Sequence, residues 1–466
     1  MMLPRRRFLA ASAALPAVGL VSGHARAAPQ SPLISDLQRR TFRFFWETTN
    51  PSNGLAPDRW PSPSTCSIAA LGFALNAYPI GVENGWVSRE AARARVLTTL
   101  KFLWDLPQGP QPEGVAGHKG FFYHFLDMKT GLRAMRCELS TVDTTLMLGG
   151  ALFCGGWFDR DHLEEAEIRR LAEALYARVD WTFAVRQAPL VSMGWTPEHG
   201  WIKANWQGYC EGMLIYLLAL GSPTHPIGDD AWSGWCATYP QYWGELWGQE
   251  HLTFPPLFGH QYSHVWVDFR GVQDAFMRSK GVDYFENSRR AVLAQKAYAA
   301  ANPRGFKGYG GDVWGLTACD GPGSFALDLN GAKRRFDGYF ARGVDATGQL
   351  DDGTLAPTAA AASIAFAPEL VTAAIEAMKA KGGVYGDYGF IDAFNPTLDR
   401  PAPFKSGRLA GGGWVDIDYL GIDQGPILAM IENWRTGLIW RTMRKNPHLR
   451  RGLMRAGFTG GWLAET

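Results

Sequence analysis

Apolar residues recur at helical spacing in many separate segments of the chain, and strand-type alternation is scarce. Leu33, Leu37, Phe44 and Phe45 mark a first helix, and Ser88 is placed to cap another that carries Val96, Leu100, Leu103 and Trp104. Further one-sided helices are predicted over about 162–182, 284–301, 368–381 and 426–444. A second set, at 66–77 (CSIAALGFALNA), 141–153 (TVDTTLMLGGALF) and 211–220 (EGMLIYLLAL), is apolar nearly all round, as helices buried on every side are. Fully buried helices alternating with one-sided ones, in a count near twelve, is what an inner and an outer ring of helices would produce. A short hairpin is expected at 121–135, where FFYHFLD and LRAM flank a Lys129-Thr130-Gly131 turn.

No low-complexity tract, charge run or long linker divides the chain after its first residues, so one domain over 28–466 is expected. The Gly- and Asp-rich stretch 308–353 is the alternative, as an inserted lobe. Residues 1–27 read differently. Arg5-Arg6-Arg7 forms a basic start, Leu9 to Val21 an apolar run interrupted by Pro16, and Ala25-Arg26-Ala27 a cleavage site. The pattern predicts a twin-arginine signal peptide handled by the twin-arginine export machinery. The protein would then be periplasmic or secreted, with no membrane attachment after cleavage.

Removing that segment takes away four arginines and no acid, which moves the formal charge from +2 to −2. A near-neutral chain has no footprint for nucleic acid or anionic lipid, whose binding needs clustered Lys and Arg. At 46% hydrophobic and 19% charged residues the composition is that of a folded protein. The six cysteines form no C-x-x-C pair, and Cys154 reads as a small core hydrophobe. Nineteen Trp and fifteen Tyr, many beside Gly, Asn, Asp or His, offer flat amphipathic surfaces on which sugar rings stack, although core packing claims many of them.

Cleaving a glycosidic bond with inversion takes one protonated carboxyl for the leaving oxygen and one ionised carboxyl for water. Two elements place acids at the start of a buried helix: Glu138-Leu139-Ser140-Thr141-Val142-Asp143 and Trp206-Gln207-Gly208-Tyr209-Cys210-Glu211. Ser140-x-x-Asp143 is also a capping-box pattern, and Glu211 could simply serve the helix macrodipole. FGHQYSHVWVDFR (258–270) packs His260, Gln261, Tyr262, His264, Trp266, Asp268 and Arg270 together as a candidate sugar-binding lining. Its His260, His264 and Asp268 also have metal-like spacing, but they lack the H-E-x-x-H glutamate and no metal is expected. Three later stretches, 309–320, 388–395 and 414–424, have similar density; from them Trp314, Asp320, Asp392, Trp414 and Asp423 join the candidate binding set. No G-x-S-x-G elbow, P-loop or G-x-G-x-x-G fingerprint is present, which argues against serine hydrolysis and nucleotide use.

From about Phe42 to Leu463 the sequence resembles the bacterial glycoamylase-like family, related to endo-β-1,2-glucanases. GLAPDRWP (54–61), KGFFYHFLD (119–127), ELSTVDT (138–144), FGHQYSHVWVDFRG (258–271), WGLTACDGP (314–322) and YLGIDQGPILAMIEN (419–433) carry the likeness. The resemblance implies an all-α, (α/α)₆ toroidal barrel acting without cofactor on an oligo- or polysaccharide, by inversion. It places the catalytic acids on Glu211, as general acid, and Asp143, with Glu138 in support. Asp423 remains open as a base acting through a relay of hydroxyls or water. Ser140, Cys210 and Gly212 stand where the family leads one to expect an acid in some members, Asn and Ala.

Overall fold

The computed structural model describes residues 31–465 except 330 and 347–349, so the expected signal segment lies outside the described residues. The helices, in chain order, are α1 (Pro32–Thr48), α2 (Ile68–Glu83), α3 (Arg89–Asp105), α4 (Thr141–Trp157), α5 (Leu163–Ala177), α6 (Met213–Gly221), α7 (Ala231–Cys236), α8 (Tyr262–Trp266), α9 (Ala275–Lys280), α10 (Tyr284–Ala301), α11 (Pro357–Ala361), α12 (Pro368–Lys379), α13 (Gly421–Arg435), α14 (Leu438–Met443) and α15 (Pro447–Arg455).

As the pattern predicts, α2, α4 and α6 are buried on nearly all sides. Helix α2 packs on α4 and α13, α4 on α6 and α8, and α13 on α8 and α11. The one-sided helices lie outside them: α1 against α2 and α13, α3 and α5 against α2 and α4, α12 against α11, and α15 against α6. Helices α2 and α4 cross backbone to backbone. A Cβ on Gly72 would fall 2.3 Å from the Leu146 carbonyl oxygen, and one on Gly150 2.2 Å from the Gly72 carbonyl oxygen. Glycine is required at both positions by this approach.

Two prolines lie inside buried helices, and in each case a side chain answers the carbonyl that proline cannot bond. Opposite Pro79 the Leu75 carbonyl accepts the Cys154 thiol at 3.1 Å, so Cys154 is both core filler and donor. Opposite Pro426 the Ile422 carbonyl accepts the Tyr262 hydroxyl at 3.0 Å.

That second device corrects an expected boundary. The one-sided helix predicted at 426–444 is two helices: α13 begins at Gly421, runs through Pro426 and is buried almost all round, and Gly437, at φ +67°, separates it from α14. The expected hairpin is also reshaped. The turn at Gly131 forms, and Leu126 bridges Arg133, but Phe125–Leu126 pairs mainly with Cys66–Ser67 and Phe121–Phe122 with Gly117–His118. Longer pairing occurs elsewhere, between Phe325–Leu329 and Ala332–Phe336. This hairpin and the 393–414 region share a second small core around Cys319, Phe336, Leu398 and Trp414.

The short strands matter because they set the inner helices. Cys66–Ser67, Leu139–Ser140 and Tyr419–Leu420 each end at the residue before α2, α4 and α13 respectively, and each pairs with a neighbouring segment. Partner strands therefore bring Arg59 beside Leu420 and Phe125 beside Ser67. All six cysteines are free thiols.

Candidate active site

At these strand-to-helix junctions lies a cavity of about 460 Å³, within the usual range for a small-molecule site. Its wall is mostly apolar, from Phe125, Leu146, Trp206, Phe258, Tyr262 and Ile422. Its acids are Asp58, Glu138, Asp143 and Glu211. Asp143 and Glu211, separate in sequence, thus share one concavity.

Asp143 sits in the first turn of α4. The Ser140 hydroxyl accepts the Asp143 N–H at 3.1 Å and donates to its carboxylate in a short bond. The capping pattern and the site reading therefore coincide: Ser140 caps the helix and holds the carboxylate that faces the cavity. On its other side stands His124, with Nε2 3.7 Å from Asp143 and Nδ1 2.8 Å from Glu138. The imidazole stacks on Phe125 with ring centroids 3.9 Å apart. Burial alone would lower its pKa, but the charges of Asp143 and Glu138 outweigh that and lift it to about 9. An imidazolium thus lies between two carboxylates at neutral pH.

Glu211 has a different environment. It precedes α6 by two residues and is 9% exposed, and its Oε2 has no hydrogen-bond partner among the described residues. Burial, with a smaller push from the charge of Asp143, raises its pKa to about 7. Two carboxyls on one wall are thus set apart: one neutral over much of the range below 7, the other paired with a cation. Gly212 has a local reason here. A Cβ at this position would fall 2.9 Å from the Trp206 ring, and glycine lets that ring line the cavity with its Nε1 donating to Thr141 at 2.8 Å.

Of the sequence-predicted residues, Glu211, Asp143, Glu138, Trp206 and Tyr262 line the cavity. Asp320 lies next to the wall, bonded at 2.6 Å to Arg59. Asp392 and Asp423 are buried behind it, each raised by burial and facing the other.

The remaining candidates lie off the cavity wall. Tyr209 bonds Ser288 and stacks on Tyr284 in the core. His260 and His264 are fully buried and share Ser288; burial pushes His264 down to about 3, so both rings are neutral core groups. Gln261 donates to Ala359 and Ser363, and Trp266 donates to Asn76. Trp314 is fully buried in the main core, and Trp414 belongs to the second core, donating to the Ser406 carbonyl. Arg270 is held by Asp268 and lies over Trp440, on a different surface from the cavity. Polar groups dense among aromatics here mostly serve the interior: Phe258 and Tyr262 reach the cavity, while His260 Nε2 and His264 Nδ1 are buried with no partner among the described residues.

Sequence reasoning did not single out His124, Asp58, Arg59 or Tyr339, all on the cavity wall. A signal existed for three of them: Asp58 and Arg59 lie in GLAPDRWP, and His124 is the one imidazole inside the aromatic run FFYHF.

The fold and the acid-lined cavity define a class, the helix-rich glycoside hydrolases. Within it the chain belongs to the glycoamylase family, whose description reads "Putative glucoamylase" and which matches residues 203–447. A protein of the same description from Bacteroides uniformis is 31% identical, with a TM-score of 0.78 over 92% of this chain and 98% of that one. The endo-β-1,2-glucanase of Chitinophaga pinensis, solved with sophorotriose and glucose, is 26% identical with a TM-score of 0.78, covering 92% of this chain and 99% of its own. An exo β-1,2-glucooligosaccharide sophorohydrolase (non-reducing end) of Parabacteroides distasonis is 28% identical over 457 residues, 91% of this chain. The chain spans 57% of that relative's length.

Proposed function

We propose that the protein hydrolyses β-1,2-linked glucan with inversion, cutting within the chain. Glu211 protonates the glycosidic oxygen as the C1–O bond breaks, while Asp143 takes a proton from the water whose oxygen attacks C1 from the opposite face. Inverting enzymes keep the two carboxyls about 6.5–9.5 Å apart to admit that water. The observation that carries the reading is the contrast on one wall: a buried Glu211 raised to about 7 whose Oε2 has no partner among the described residues, and an Asp143 held by Ser140 and His124. Internal cutting is supported by the likeness to the endo-acting Chitinophaga pinensis enzyme, 26% identical with a TM-score of 0.78.

Asp423 supplies a second reading of the base. It lies in the first turn of α13 beside the wall residue Ile422, and its Oδ2 has no partner among the described residues. It would take the proton through a relay of water or sugar hydroxyl. The helix contacts fit a ring of six inner and six outer helices, which we take as the architecture. Residues 1–27 would send the folded chain through the twin-arginine machinery to the periplasm or beyond.

A panel of β-1,2-, β-1,3-, β-1,4- and α-1,4-glucans tests the substrate. Reducing ends should rise only on the first, with mixed oligosaccharides in the earliest samples; disaccharide alone at those times would rule out internal cutting. Glu211→Gln should lose activity by about 10³-fold, in the range of a lost general acid. Comparing Asp143→Asn with Asp423→Asn decides the base, and full activity in both Glu211→Gln and Asp143→Asn would defeat the site assignment.

A further inference from the structure

Beside the cavity the fold buries a set of carboxylates that this reaction leaves unused. Asp320, Asp392 and Asp416 each present an oxygen within 4.8 Å of the other two. Asp392 and Asp416 are each 1% exposed, and the Asp320 side chain is 13% exposed. Asp58, Asp418 and Asp423 stand close enough to act on this group through their charge. Facing them is Arg59, 2.6 Å from Asp320, 3.2 Å from Asp58 and 3.8 Å from Asp418. The nearby Arg342 is committed to Asp352 and to backbone carbonyls. Among the described residues, six carboxyls thus meet one available guanidinium.

A second observation points into the same space. Oδ1 of Asp392 and Oδ2 of Asp416 are buried with no donor group bonded to them among the described residues; the Asp392 carboxyl also pairs with that of Asp423, whereas Asp416 Oδ2 has no such neighbour. Their other oxygens are occupied: Asp392 Oδ2 accepts the Asp320 N–H at 2.6 Å and Asp416 Oδ1 the Ile417 N–H at 2.8 Å. Backbone bonds hold each carboxylate in place, with Asp392 N–H donating to the Asp418 carbonyl and Asp416 N–H to the Ala393 carbonyl. A buried carboxyl oxygen without a donor is satisfied by a shared proton or by a cation, and a neutral saccharide supplies neither. The donor set is all oxygen, with no His or Cys. Oxygens up to 4.8 Å apart suit a cation of about 2.3–2.6 Å bond length lying between them.

We propose that Asp320, Asp392 and Asp416 bind one hard divalent cation of the calcium class. The ion joins three segments: the Ala318–Cys319 strand, the stretch entering Phe394–Asn395, and the strand Gly413–Val415. Through Asp320 and Arg59 it steadies the wall formed by Arg59, Ala318 and Leu420. This inference does not depend on the proposed glucan hydrolysis.

The test uses the full chain, purified in calcium-containing buffer, desalted, and measured for metal before and after treatment with chelator. About one calcium per chain is expected, with removal lowering Tm by several degrees and calcium chloride restoring it. Magnesium or manganese chloride serves as a further probe, and saturable binding of either supports the same site. Asp416→Asn should abolish the stoichiometric metal and the metal-dependent part of Tm. The proposal is overturned if the wild-type chain carries no metal and its Tm is unchanged by chelator and by millimolar calcium, magnesium or manganese. It is equally overturned if Asp416→Asn retains full metal content. Because the wild-type measurements alone can overturn it, a misfolded variant does not protect the idea.

Discussion

Glu211 and His124 show how one cavity wall supports opposite protonation states. Burial pushes the glutamate up to about 7, so the acid form is lost as pH rises through that value. The rate kcat on β-1,2-glucan should therefore fall by about tenfold per unit above pH 7. A rate flat from pH 6 to 9 would remove Glu211 from the donor role. His124 works in the other direction. Its folded pKa, about 9, lies above the ordinary 6.5, so its contribution to stability is complete below about 6.5 and disappears as pH rises through about 9. The ring is about one-third exposed, and after allowing for solvent screening the contribution is of order 1–2 kcal/mol. Urea unfolding of the wild type and His124→Gln at pH 6 and pH 9.5 checks this: the gap between the proteins should be larger at pH 6.

Helices made the fold readable, because the all-apolar segments at 66–77, 141–153 and 211–220 can only be satisfied by burial on every side, and that is how α2, α4 and α6 lie. The start of α13 was hidden because Pro426 reads as a first-turn residue, whereas the chain has Tyr262 answer the orphaned Ile422 carbonyl across about 160 residues of sequence. Half of the site was legible for a similar reason. Acids at helix starts are visible in sequence, but His124, brought to Asp143 by pairing of Phe125 with Ser67, is fixed by tertiary register. In the 258–270 stretch only Phe258 and Tyr262 reach the cavity, and the inward turn of its histidines and Gln261 could not be read because partner groups such as Ser288 and Ser363 are distant in sequence. Two changes test the element scale. Gly72→Ala must push α4 away from α2 and should cost about 1–3 kcal/mol or more, read as a lower urea midpoint at unchanged slope. Tyr262→Phe leaves the Ile422 carbonyl unanswered and should cost about 1–3 kcal/mol.

Over the whole molecule, charge is distributed unevenly while its sum stays small, at +2 with residues 1–27 and −2 without them. The acids Asp58, Glu138, Asp143 and Glu211 outnumber Arg59 and His124 at the cavity, and Arg270, Arg435, Arg441 and Arg444 outnumber Asp268 in a separate surface pocket. Such a separation would steer a charged ligand over a distance set by the Debye length, about 30 Å at 0.01 M salt and 8 Å at 0.15 M. A glucan without charged substituents feels no such steering, and its capture depends on apolar walls and hydrogen bonds that salt does not screen. For that substrate kcat/KM should change by less than about twofold between 0.02 M and 0.5 M sodium chloride, since no counterion release or long-range attraction enters the binding step. The same titration on a glucan bearing anionic substituents should show a clear salt dependence. A steep loss of kcat/KM with salt on the neutral polymer would mean that its recognition runs through exposed charge, and the apolar cavity would no longer be the place where the substrate is captured.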